Sequence, residues 1–198
     1  MTQFSGDMGE FARATRLRLS DWRSPGEFEA ILEDVRGQVT PYVLFKYPAW
    51  GFWRDAWTLG QFSTLSGADR LQLTTPSEQY PDGRVNVGSE VLDVEVTEAM
   101  MPGRKRANEY APDAPQVRYD PVEDWDRRLN ELPTAPDRAI SKKVGRLYGQ
   151  KPTLLVYLNI GAYGDYREEE ARSSIATIKE RHAGSFKALH VLWGNKLV

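Results

Sequence analysis

The chain contains no cysteine among its 198 residues, only two histidines, and no long apolar run. Without cysteine, the fold cannot be stapled by disulfides, no thiolate can bind zinc, and no thiol can act as a nucleophile. Any metal would have to be held by carboxylates, carbonyls or the imidazoles of His182 and His190. No stretch approaches the roughly 18 consecutive apolar residues a membrane span needs, and Met1 to Arg18 lacks the apolar core of a signal peptide. The expectation is therefore a cytoplasmic protein with no membrane partner. Charge of one sign is also scarce: 26 basic against 28 acidic residues give a net charge of −2. That does not suggest bulk electrostatic coating of nucleic acid and leaves room for a local basic run, so nucleic acid is neither favoured nor excluded.

What is present suits one domain with a sizeable core, since 40% of the residues are hydrophobic and 11% aromatic. Residues 1–198 read as a single domain, with 1–70 as a helical and aromatic extension of its core. Ser24, Pro25 and Glu27 form a capping-box start for a helix over Pro25–Arg36, with the stripe Phe28, Ile31, Leu32, Val35 and a stop at Gly37. Tyr42–Tyr47 reads as a strand. The aromatic stretch holding Trp50, Phe52, Trp53 and Trp57 reads as core. Leu71–Thr74 reads as a short strand.

Later in the chain, one helix is expected from Asp120 with Pro121 at its first position, burying Val122, Trp125, Leu129 and Leu132. Another is expected from about Thr134, presenting Ile140, Val144 and Leu147. Thr153–Ile160 reads as a strand buried on both faces. A helix capped by Asp165 should bury Ala171, Ile175 and Ile178 and close at Gly184, followed by a strand over Phe186–Trp193. Strand, helix, strand in this order implies a parallel pair. The fold class is α/β, with a central mixed β-sheet flanked by helices.

The functional argument rests on residues 82–97. Two alternating runs flank Gly88-Ser89, where glycine suits the first central position of a type II′ turn. A two-residue loop pairs Val87 with Glu90, Asn86 with Val91, Val85 with Leu92 and Arg84 with Asp93, and carried further places Asp82 opposite Glu95. Val85, Val87, Leu92, Val94 and Val96 then share the core face. Asp82, Arg84, Asn86, Asp93, Glu95 and Thr97 share the other. Like charges set opposite each other destabilise a sheet unless compensated. Arg84 can serve Asp93, and a hard divalent ion, Mg or Mn, could serve Asp82 and Glu95. The plain alternative is a polar face whose acids are simply solvated.

Pro81-Asp82, then twelve intervening residues, then Glu95-Val96-Thr97 resembles the PD-(D/E)XK signature of the restriction-endonuclease-like nucleases. The resemblance implies a restriction-endonuclease-like core. It also implies Asp82 and Glu95 as metal ligands, with Asp93 as an auxiliary acid, and a Mg-dependent hydrolysis of phosphodiester bonds in nucleic acid. The later strand, helix and strand fit the same order. The family's lysine position is Thr97, and members of the family replace this lysine or draw it from elsewhere in the fold. Lys105 is one candidate, and Arg104 and Arg106 beside it could hold phosphates. Family analogy adds a homodimer. The competing readings are a catalytically degenerate module of the same fold, binding nucleic acid or a protein partner, and an unrelated α/β domain with a wet hairpin.

Among the remaining candidates, His182 reads as a cation at a helix end and His190 as a structural histidine. The loop Asn159–Tyr166 leaves a buried strand where open sheets often place ligands.

Overall fold

A computed structural model describes residues 6–115, 122–146, 148, 150–161 and 166–198. The chain runs through α1 (Met8–Leu19), α2 (Pro25–Gln38), α3 (Pro41–Lys46), a single 3-10 turn (Pro48–Trp50) and α4 (Trp53–Leu65) into β1 (Arg70–Leu73), β2 (Gly83–Val87) and β3 (Glu90–Met100). It continues through α5 (Arg106–Glu109), α6 (Val122–Glu131), α7 (Ala135–Val144), β4 (Thr153–Asn159), α8 (Glu168–Arg181), β5 (Ala188–Trp193) and β6 (Lys196–Leu197). The fold is mixed α/β, and its sheet has the strand order β1-β2-β3-β4-β5-β6. The β1–β2, β2–β3 and β5–β6 pairs are antiparallel, and β4–β5 is parallel. No helix among the described residues is long and apolar enough to cross a membrane.

Two compact units divide the chain, residues 1–94 with 105–116 and residues 95–104 with 117–198. In the first, α2 starts as its sequence dictates. Ser24 accepts from the Glu27 N–H while the Glu27 carboxylate accepts from the Ser24 N–H, so two otherwise orphaned donors are satisfied. Phe28, Ile31, Leu32 and Val35 are buried as the stripe predicts. The helix does not stop at Gly37 but runs to Gln38, because nothing requires that glycine to leave helical geometry. Trp50, Phe52 and Trp53 are core, with Trp50 packing edge-on against Phe11 and Trp53.

The segment Tyr42–Tyr47 is not a strand. Thr40 caps it and Pro41 occupies the first turn, and the start signal outweighs the strand preference of the β-branched and aromatic residues behind it.

The hairpin register matches its reading from Arg84 to Glu90, while Val87 and Leu92 of the expected core face are only half-buried and the described ladder ends at Gly83–Val94, short of the expected Asp82–Glu95 pair. Gly83 pairs with Val94, Arg84 with Asp93, Val85 with Leu92, Asn86 with Val91 and Val87 with Glu90. Gly88 has φ +60°, as the first central position of a type II′ turn requires, and its N–H donates to Asp69. Val85 and Val94 are fully buried.

In the second unit, β4 is buried nearly throughout and pairs in parallel with β5. Ala171, Ile175 and Ile178 of α8 pack with Leu129, Leu132, Ile140, Leu154, Val156 and Val191 in one apolar cluster. Val144 departs from its expected place: it ends α7 at 44% exposure, beyond the stretch that packs on the sheet. Arg167 occupies the N-cap position of α8. The expected cap Asp165, the start at Asp120 and Pro121, and Leu147 lie outside the described residues.

Candidate functional site

β3 carries Glu95 and Thr97 into the second unit, and the alternation of a strand turns both to one side. Glu95 is only 3% exposed. A bare carboxylate so placed would be costly. Two cations meet it: Lys143 Nζ donates to Oε1 at 2.5 Å, and Arg146 Nη1 approaches the same oxygen at 3.3 Å. Lys143 is itself only 11% exposed, whereas the Arg146 side chain is 60% exposed. Glu95 therefore does not sit on a wet face. Its charge is buried and matched chiefly by one inward lysine.

Sequence reading did not single out Lys143, which lies 48 positions after Glu95. A signal for it does exist. Lys143 follows the buried Ala139 and Ile140 by four and three residues, which puts a lysine on the inward stripe of α7.

A second polar group of this unit joins Glu98, Asn159 and Arg104. Asn159 donates to Glu98 at 2.8 Å, and Arg104 donates to the Asn159 carbonyl at 2.7 Å and to its side-chain oxygen at 3.1 Å. Arg104, considered from sequence as a phosphate ligand, thus spends donors on the end of β4. A cavity of about 260 Å³ opens at the C-terminal ends of β4 and β5 among Tyr157, Asn159, Glu168, Trp193 and Lys196. Its polar groups are engaged with one another, Trp193 with the Ile160 carbonyl at 3.0 Å and Lys196 with Glu168 at 3.2 Å. Residues 162–165 of the expected ligand loop lie outside the described residues.

In the first unit, Arg84 bridges Asp93 at 3.2 Å and Glu78 at 2.7 Å, so the expected neutralisation of Asp93 is present. The Arg84 contact, followed by Thr75, holds the Glu78 carboxyl below the usual carboxylate range. Asp82 sits just before β2, after a cis Tyr80–Pro81 peptide. Thr74 Oγ donates to the Pro81 carbonyl at 2.6 Å and approaches the Asp82 carbonyl at 3.2 Å, which ties this turn to the end of β1. Lys105 is exposed at the start of α5, and Arg106 lies over the Phe45 ring at 4.8 Å.

His182 is at the C-terminal end of α8 as expected, 2.8 Å from Asp137. That hydrogen bond, with Arg181 adding to it, lowers the Asp137 carboxyl.

Among the described residues, no three His, Asp or Glu side chains cluster in a way that would hold a metal by themselves. An ion here would draw most of its oxygens from water or substrate. Mg²⁺ and Mn²⁺ accept this more readily than Zn²⁺ or Ca²⁺ do. As placed, Glu95 offers such an ion no open oxygen: Oε1 is taken by Lys143 and Arg146, and the residue is 3% exposed. No family model matches the chain, and comparison with curated proteins and with solved structures gives no significant match.

Proposed function

We propose that the chain is a Mg- or Mn-dependent nuclease-like protein that hydrolyses phosphodiester bonds, with Glu95 and Lys143 as the working pair. The observation that carries this is a carboxylate buried on a strand and held at 2.5 Å by a lysine from a following helix. In the motif the chain resembles, the acid and the lysine act together, and Thr97 cannot supply the charge. Lys143 supplies it from α7 in place of the motif position. Asp82, the other acid of the motif, enters this reading from the sequence resemblance.

When bound, a divalent ion would polarise the phosphoryl oxygens and lower the pKa of a water. Glu95 would hold that ion through one oxygen, which requires its contact with Arg146 to open. Lys143 Nζ orients the Glu95 carboxylate and offers a positive charge to the non-bridging oxygens of the phosphate under attack. Burial of the pair keeps both charges in a low dielectric, where each acts more strongly than in water.

A second reading is favoured by the same geometry. Two cations already balance Glu95, as they would in a nuclease-fold module that has lost its metal and binds nucleic acid or a protein partner.

Incubation of single- and double-stranded DNA and RNA with the protein in Mg²⁺ and in Mn²⁺ decides between them. Cleavage that falls by about 100-fold or more in Glu95→Gln and Lys143→Met, with circular dichroism unchanged, is expected. No cleavage of any substrate in either metal overturns the nuclease reading and leaves the binding module.

A further inference from the structure

We propose that the exposed aromatic and basic surface of α3 and α5 binds single-stranded nucleic acid, with Tyr110 stacking a base and Lys46 and Lys105 holding phosphates. The inference goes beyond the nuclease reading, since it stands on the first unit alone and needs neither Glu95 nor a metal. α3 and α5 pack on each other. Tyr47, at the end of α3, is 51% exposed, and Tyr110, at the end of α5, is 44% exposed. Phe28, Trp50, Trp53 and Phe62 of the same unit are buried. One exposed ring is ordinary, but two on elements packed together make a patch.

The rings are held by their contacts. Tyr110 stacks on Phe45 with centroids 5.5 Å apart and planes 19° from parallel, and the Arg106 guanidinium lies over the same Phe45 ring at 4.8 Å. Phe45 takes one face of Tyr110, and the exposure of Tyr110 leaves the other for a further planar group. A ring already fixed by stacking gives up little freedom when it accepts that group. Every nucleobase presents such a face, and stacking on an aromatic side chain tolerates any sequence.

Charge selects the ligand. Lys46 follows Phe45 and Lys105 precedes Arg106, and both lysines are exposed without an ion pair among the described residues. The acids of α5 and the turn after it, Glu109 and Asp113, are fewer than Lys46, Lys105 and Arg106, and Glu109 has a partner of its own. A single strand brings one phosphate charge per nucleotide to the lysines and offers base faces that a duplex hides. A proline-rich peptide would use the rings and leave the lysines idle.

The test is fluorescence anisotropy of the full chain in excess EDTA, where metal-dependent cleavage plays no part and the contacts argued above need no ion. Labelled oligothymidylate is compared with an abasic strand of equal length, which keeps the phosphates and lacks the bases, and with a duplex. Oligothymidylate is expected to bind about tenfold more tightly than the abasic strand, and more tightly than the duplex. Tyr110→Ala should remove that advantage and Tyr110→Phe should keep it. Lys46→Ala and Lys105→Ala should each weaken binding and lower the slope of log affinity against log salt by about 0.7. Equal binding of oligothymidylate and the abasic strand by wild type overturns the proposal whether or not a variant folds. So do a preference for the duplex, the absence of binding at low salt, and an advantage that survives in a folded Tyr110→Ala. A proline-rich peptide that binds at Tyr110 where no strand does overturns it too, and gives the surface to a protein partner. A chain that binds the strand in this way and never cleaves keeps this inference and loses the nuclease reading. Cleavage without such binding does the reverse.

Discussion

Lys143 Nζ and Glu95 Oε1 stand 2.5 Å apart with side-chain exposures of 11% and 3%. The pair brings charge from a helix surface into the interior, and its worth depends on both partners staying in place.

Removing only the cation should therefore be expensive. Lys143→Met leaves Glu95 with the exposed Arg146 as its remaining contact among those described above, and the expected loss is about 3 kcal/mol in urea unfolding. The double variant Glu95→Met/Lys143→Met should recover most of that, because neither charge then remains to be solvated. A loss below about 1 kcal/mol in the single variant would mean that water already reaches the carboxylate.

Gly83 makes a different prediction, from close approach and not from charge. A Cβ added there would lie 2.5 Å from Leu59 Cδ1 and 2.7 Å from the Gln72 carbonyl oxygen. The leucine can move, but the carbonyl belongs to the β1 ladder and cannot. Gly83→Ala should lose about 1–3 kcal/mol by thermal or urea unfolding. An unchanged midpoint would show that β1 and β2 can spread at this point.

His190 should give stability a pH dependence. Burial, with the charge of Lys179 adding to it, holds the imidazole below its ordinary value of 6.5. As pH falls through about 6.5, the unfolded chain takes up this proton before the folded one, so stability declines until the folded imidazole also titrates. Above that region, the imidazole is neutral in both states and adds no pH dependence to stability. Urea midpoints measured from neutral to mildly acidic pH should fall in wild type, and His190→Phe should flatten the part of the slope that this residue causes. A slope identical in the two proteins would rule His190 out as its source.

Local chemistry was the legible part of the fold. Ser24 with Glu27, Gly88 in its turn and the unbroken apolar run at Thr153–Asn159 each carry their instruction within a few residues, and the structure follows each. The segment after Thr40 misled because Tyr42 to Phe45 has strand composition, while the deciding signal lies in the two residues before it. α1 escaped notice because its buried positions, Ala12, Thr15 and Leu19, include one small and one polar residue and make a thin stripe. At the candidate site, the register from Gly83 to Glu90 could be derived from the turn alone. The partner of Glu95 could not, because a contact between residues 48 positions apart depends on how α7 packs.

The order in which the chain visits its two units limits how it can be dissected. It leaves the first after Val94, returns at Lys105 and departs again after Gln116. No single scission yields both units whole: cutting after Val94 removes α5 from the first unit and leaves the second complete, and cutting after Gln116 leaves the first complete and strips Glu95 and its strand from the second. Fragments for separate study would have to overlap, 1–116 for the first unit and 95–198 for the second, whereas a protease nick between these borders takes residues from both.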